Sequence, residues 1–128
     1  MEKVTGIGGV FFKAKDADAL RAWYRDRLGV PVEDWGGWAW PWRDADDASR
    51  MGVTVWSCFK RETNYFDPST QPFMVNYRVA NLDRMLAQLR AAGCTVDDRV
   101  TEEENGRFGW VMDPEGNRIE LWEPAPGM

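Results

Sequence analysis

Between Asp16 and Leu28 the apolar side chains Leu20, Trp23, Tyr24 and Leu28 recur every three or four residues, the spacing of one helix face. Asp16 supplies an acidic N-cap and Gly29 a stop. The stretch Asn81 to Ala92 repeats the device, with Leu82, Met85, Leu86 and Leu89 on one face and Gly93 at the end. Elsewhere the period shortens to that of strands. The pattern predicts them at Val4–Ala14, Pro31–Trp35, Trp38–Trp42, Val53–Phe59, Pro72–Val79, Thr95–Val100, Gly106–Met112 and Arg118–Trp122.

These elements form one unit written twice. At a spacing of 65 residues Phe12-Lys13 meets Tyr77-Arg78, Asp16 meets Asn81 and Ala22 meets Ala87. Past the helices the spacing becomes 64, so that Gly29 meets Gly93 and Trp56 meets Glu120. A strand–helix–three-strand module repeated once is expected, over about residues 1–64 and 65–128 of a single domain. The link is Lys60 to Gln71, where Asp67-Pro68-Ser69 has turn chemistry. The expected class is α+β, with both helices on one face of an eight-stranded sheet.

Alternation then sorts side chains between the faces. Ile119, Leu121, Val10 and Phe12 are expected under the helices. The opposite face collects Gly9, Phe11, Trp56, Met74, Asn76, Glu120 and Trp122. Trp38, Trp40 and Trp42 share one parity, as do Phe108, Trp110 and Met112. Eight tryptophans in 128 residues are the compositional oddity. Such rings line a cavity for planar ligands, pack a subunit interface, or do both.

Charge and composition narrow the chemistry. The formal net charge is −5, which argues against nucleic acid or an anionic membrane surface as partners. There is no histidine, so the commonest metal ligand and the commonest neutral-pH base are missing. Cys58 and Cys94 are too isolated for a disulfide framework, and Cys58 reads as an inert buried thiol. No signal peptide or membrane-length apolar run is seen, and a cytoplasmic protein is expected.

Four segments together resemble the vicinal oxygen chelate superfamily of glyoxalases, extradiol dioxygenases and bleomycin-resistance proteins. They are Gly6-Ile7-Gly8-Gly9-Val10-Phe11-Phe12, Trp23-Tyr24-Arg25-Asp26-Arg27-Leu28-Gly29, Val79-Ala80-Asn81-Leu82-Asp83 and, most specifically, Asp113-Pro114-Glu115-Gly116-Asn117-Arg118-Ile119-Glu120-Leu121. The resemblance implies a cupped sheet of two βαβββ modules and a homodimer. Its metal enzymes take ligands from four positions, which carry over here to Gly9, Trp56, Met74 and Glu120. A glycine, an indole, a thioether and one carboxylate do not make a hard-metal site. No metal or other cofactor is therefore expected, unless a displaced set used Glu33, Asp34, Glu62, Asp67 or a carboxylate from a partner subunit.

The first functional expectation is a metal-free binder of a small aromatic molecule, neutral or cationic, of the kind that sequesters drugs. Its candidate ligand-binding residues are Phe11, Trp38, Trp40, Trp56, Met74, Asn76, Trp110, Glu120 and Trp122. The alternative is an enzyme, a glyoxalase-like lyase or isomerase or a dioxygenase, with Glu120 as catalytic acid or base, helped by Tyr65, Tyr77 or Asn76. Glu120 can instead be half of an ion pair with Arg78 or Arg118. A third reading leaves the tryptophan face as a dimer contact with no cleft.

Overall fold

The computed structural model describes residues 1–128. Strand β1 (Val4–Ala14) leads into helix α1 (Ala17–Leu28), then β2 (Gly37–Arg43) and β3 (Met51–Lys60). The second half runs β4 (Phe73–Val79), α2 (Leu82–Ala91), β5 (Thr95–Val96), β6 (Thr101–Glu103), β7 (Gly106–Met112) and β8 (Arg118–Pro124). One mixed sheet has the order β2-β3-β1-β4-β8-β7-β5, with β6 paired to β7. The α+β class with eight strands is as the sequence reading had it.

Both helix starts are where the caps put them. The Asp16 carboxylate accepts from the Ala19 N–H at 3.0 Å, and the Asn81 amide oxygen from the Arg84 N–H at 3.0 Å. Each cap contributes about 1 kcal/mol. Gly29 closes α1 at φ 71°, a left-handed conformation that glycine adopts without strain.

The strands depart from expectation in three places, the third being β6 at Thr101–Glu103, where the sequence suggests only an acidic turn, so that the modules hold three and five rather than four each. Pro31–Trp35 is not a strand. Its backbone folds on itself, Glu33 N–H to Gly37 carbonyl at 2.9 Å and Gly36 N–H to Glu33 carbonyl at 2.9 Å, and β2 is left as the edge of the sheet. The expected Thr95–Val100 strand is short, ending at Val96. There the Asp97 side chain takes the Arg99 N–H at 2.8 Å, and a local turn of this kind competes with the sheet.

The modules pair within one chain through the central antiparallel β1·β4 contact, each flanked by its own last strand in parallel, β3 on β1 and β8 on β4. This pairing corrects the register read from sequence. Val10 lies opposite Trp56, and its counterpart Val75 lies opposite Ile119. Trp56 is thus the equivalent of Ile119, and the partner of Glu120 is Ser57. A one-residue slip moves a side chain to the other face of a sheet. Trp56 accordingly sits under α1 with Ala14, Ala17, Val30 and Cys58, its ring 5.4 Å from Phe12 and 4.9 Å from Tyr24. Leu82, Met85, Leu86, Val79, Val111 and Leu121 form the matching core under α2. A third cluster, Phe11, Phe66, Met74 and Trp110, is built on the face away from the helices.

Candidate functional site

Glu120 stands on that helix-free face of β8 and is only 2 % exposed. Strand register sets Asn76 of β4 on one side of it and Trp110 of β7 on the other. Asn76 Nδ2 donates to Oε1 at 2.7 Å, and Trp110 Nε1 donates to Oε2 at 3.0 Å. The Tyr65 hydroxyl, from the segment joining β3 to β4, bonds Oε2 as well. All three donors are neutral. Burial pushes the Glu120 carboxyl above its ordinary range; the hydrogen bonds from Tyr65, Asn76 and Trp110 and the charge of Arg118 oppose the shift without cancelling it. Burial also raises the Tyr65 hydroxyl, and the adjacent Glu120 charge raises it further.

The ion pair considered for Glu120 does not form with either arginine. Arg118 donates to the Tyr65 carbonyl at 2.6 Å and to Asp97 Oδ2 at 3.3 Å. Arg78 lies between two indoles, 4.8 Å from the Trp42 ring centre and 5.0 Å from that of Trp122, and donates to the Val53 carbonyl at 3.2 Å.

Above Glu120 opens a cavity of about 620 Å³. Phe11, Val55, Phe59, Phe108, Tyr65, Asn76 and Trp122 line it, with Trp35, Lys60 and Glu62 on its exposed side. Its base depends on Gly8. A Cβ there would come within 2.0 Å of Asn76 Oδ1 and 2.9 Å of the Trp122 ring, so a bare backbone lets both side chains lie across β1. Asn76 Oδ1, packed over Gly8, has no hydrogen-bond partner.

Of the residues expected to bind ligand, Phe11, Asn76, Glu120 and Trp122 do line this cavity. The others are placed differently. Met74 is fully buried beneath it, and Trp110 borders an adjoining groove of about 980 Å³. Trp56 and Trp38 belong to the core under α1, and Trp40 is 43 % exposed on edge strand β2. The indoles therefore do not form a sandwich for a planar ligand. Trp122 is taken on both sides by its cross-strand neighbours, Phe108 stacked at 5.9 Å and Arg78 opposite. The Trp110 ring carries Arg118 at 4.8 Å and Arg99 at 5.5 Å. The cavity's aromatic surface comes from Phe11, Phe59, Tyr65, Phe108, Trp122 and Trp35. Phe108 shared the parity of Trp110 in the sequence; Phe59 and Trp35 gave no such signal. Tyr77, a possible helper, packs on the α2 side, away from Glu120.

A glyoxalase-like domain model matches residues 9–122. The chain belongs to the glyoxalase-like domain family, within the vicinal oxygen chelate superfamily. Its fold is similar to that of methylmalonyl-CoA epimerase from Mycobacterium tuberculosis, at 23% identity and a TM-score of 0.61, covering 96% of this chain and 90% of that one. It is also similar to the Streptomyces coelicolor methylmalonyl-CoA epimerase in complex with 2-nitronate-propionyl-CoA, at 20% identity and a TM-score of 0.68, covering 96% and 99%. A third similar fold is the Mn(II)-bound glyoxalase from Novosphingobium aromaticivorans, at 24% identity and a TM-score of 0.58, covering 99% of this chain and 42% of that one. No curated protein sequence matches.

The superfamily's metal does not fit the donors present. With the register corrected, its four positions hold Gly9, Ser57, Met74 and Glu120, a set with one carboxylate and no imidazole or thiolate. The displaced candidates Glu33, Asp34, Glu62 and Asp67 do not converge, since no three His, Cys, Asp or Glu side chains gather in a metal-holding group.

Proposed function

We propose that this chain is a metal-independent enzyme that moves a proton on a small molecule held in the 620 Å³ cavity, in the manner of an isomerase, epimerase or lyase. Glu120 is the acid–base group and Tyr65 relays its proton. The observation that carries this reading is a buried carboxyl at the cavity base, bonded by three neutral donors and by no cation. A carboxyl so placed holds its proton to higher pH than an exposed one, the direction that suits it to give and take a proton in catalysis. When Glu120 is protonated, its O–H donates to Tyr65 Oη and frees the phenol O–H to point at ligand. Glu120 then passes its proton to Tyr65 as Tyr65 passes its own to the substrate, and the reverse sequence removes one. Asn76 and Trp110 fix the carboxyl while the phenylalanines exclude water. That the similar folds include two epimerases and a glyoxalase supports an enzyme over an inert dimer contact.

One observation favours sequestration as the second reading. A buried acid without a fixed counter-ion, walled by Phe11, Phe59 and Phe108, suits a cationic aromatic compound. Deuterium exchange separates the two. Incubating α-substituted thioesters and α-hydroxy carbonyl compounds with the protein in D2O is expected to label one class at the carbon beside the carbonyl, read by NMR. Tyr65→Phe should slow that labelling by about 10²-fold or more. Saturable binding of aromatic cations with no labelling in any class would favour sequestration.

A further inference from the structure

Arg118 and Glu120 are two residues apart on one face of β8, and both are almost fully buried, at 4 % and 2 % exposure. Opposite charges so close and so dry ordinarily pair, because an unpaired buried charge is costly. Here the guanidinium turns the other way. Nη1 donates to the Tyr65 carbonyl at 2.6 Å and Nη2 to Asp97 Oδ2 at 3.3 Å, while the group rests on the Trp110 ring. Asp97 is itself held. Its N–H donates to the Trp110 carbonyl at 2.9 Å, and its Oδ1 accepts from the Arg99 N–H at 2.8 Å.

We propose that Asp97 is a positioning residue that keeps Arg118 turned away from Glu120, leaving the acid of the site without a counter-ion. Two of the three donors to Glu120, Tyr65 and Trp110, are also what Arg118 touches, so one anchor sets the direction of the cation and steadies both. An Arg118–Glu120 pair would hold the carboxyl ionised and end its role as a proton donor. The groups facing Glu120 are Tyr65, Asn76 of β4, Trp110 of β7 and Arg118 of its own strand. Behind them, Glu103 of β6 faces Tyr65, and Asp97 and Arg99 face Arg118. Asp97 is the carboxylate that engages Arg118 directly.

This inference rests on Glu120 being the acid–base group, yet its test needs no substrate, so it can fail independently of any turnover result. The Glu120 carboxyl of the full chain, ¹³C-labelled at glutamate and assigned with Glu120→Gln, is titrated by NMR. In Asp97→Ala the midpoint is expected to fall by about 1–3 pH units as Arg118 swings onto Glu120. Asp97→Asn, which keeps an acceptor for the Arg99 N–H, should move it the same way, and Asp97→Glu should restore it. In an Arg118→Met background, Asp97→Ala should leave the midpoint where Arg118→Met alone sets it. An unmoved midpoint in both neutral Asp97 variants would overturn the proposal. So would an equal fall in the absence of Arg118.

Discussion

Glu120→Gln is expected to lower turnover by ~10²–10⁴-fold while ligand still binds, because the substitution removes the titrating proton and little else. The pocket can receive the amide. Gln keeps an oxygen to accept from Tyr65 and Trp110, and its NH₂ meets Asn76 once that amide turns to present Oδ1, which otherwise has no partner. The same variant carries a stability signature. Burial raises the Glu120 carboxyl above its ordinary value of 4.5, so above that pH the folded protein binds more protons than the unfolded chain. Wild-type stability therefore declines as pH rises from 4.5 through the folded-state value, whereas the non-titrating amide has no such decline. The thermal midpoint of Glu120→Gln relative to wild type should increase from pH 5 to pH 8. A constant difference across that range would mean that Glu120 is not strained by its surroundings.

Trp56→Ala is the second large effect, and it falls on stability. The indole is 7 % exposed and wedged among Phe12, Tyr24, Cys58 and Val30 beneath α1. Truncating a buried tryptophan costs about 3–5 kcal/mol through lost burial and the cavity left behind. Urea unfolding should show the loss as a lower midpoint with the slope retained. Ligand affinity, read by quenching of the remaining tryptophans, should change little, because Trp56 does not reach the cavity. A variant with wild-type stability and lost binding would return Trp56 to the ligand face.

That reversal shows where sequence legibility ends. The helices were readable because Asp16 and Asn81 cap them and glycines follow them, all signals local to the chain. The face of β8 was readable because Ile119-Glu120-Leu121 alternates cleanly. In β3, Trp56, Ser57 and Cys58 are buried in succession, so local alternation could not say which of them points away from α1. Pairing with β1 decides it, and that is a long-range fact. Tyr65 could be named as a helper of Glu120 from its chemistry, but it could not be placed beside it. It lies outside any periodic element, and its bond to Glu120 spans 55 residues of sequence. The abundance of tryptophan did not tell which rings would be buried, since Trp56, Trp110 and Trp122 are and Trp23, Trp35 and Trp40 are exposed, and neighbouring phenylalanine and arginine cover the faces of Trp110 and Trp122 that a ligand would have used.

The central claim is proton transfer by Glu120 without a metal, and chelation tests it most directly. Protein stripped with a strong chelator and verified by elemental analysis should label its substrate in D2O at the untreated rate, and added Mn²⁺, Zn²⁺ or Ni²⁺ should not accelerate it. Labelling that vanishes on stripping and returns with one of these ions would contradict the account.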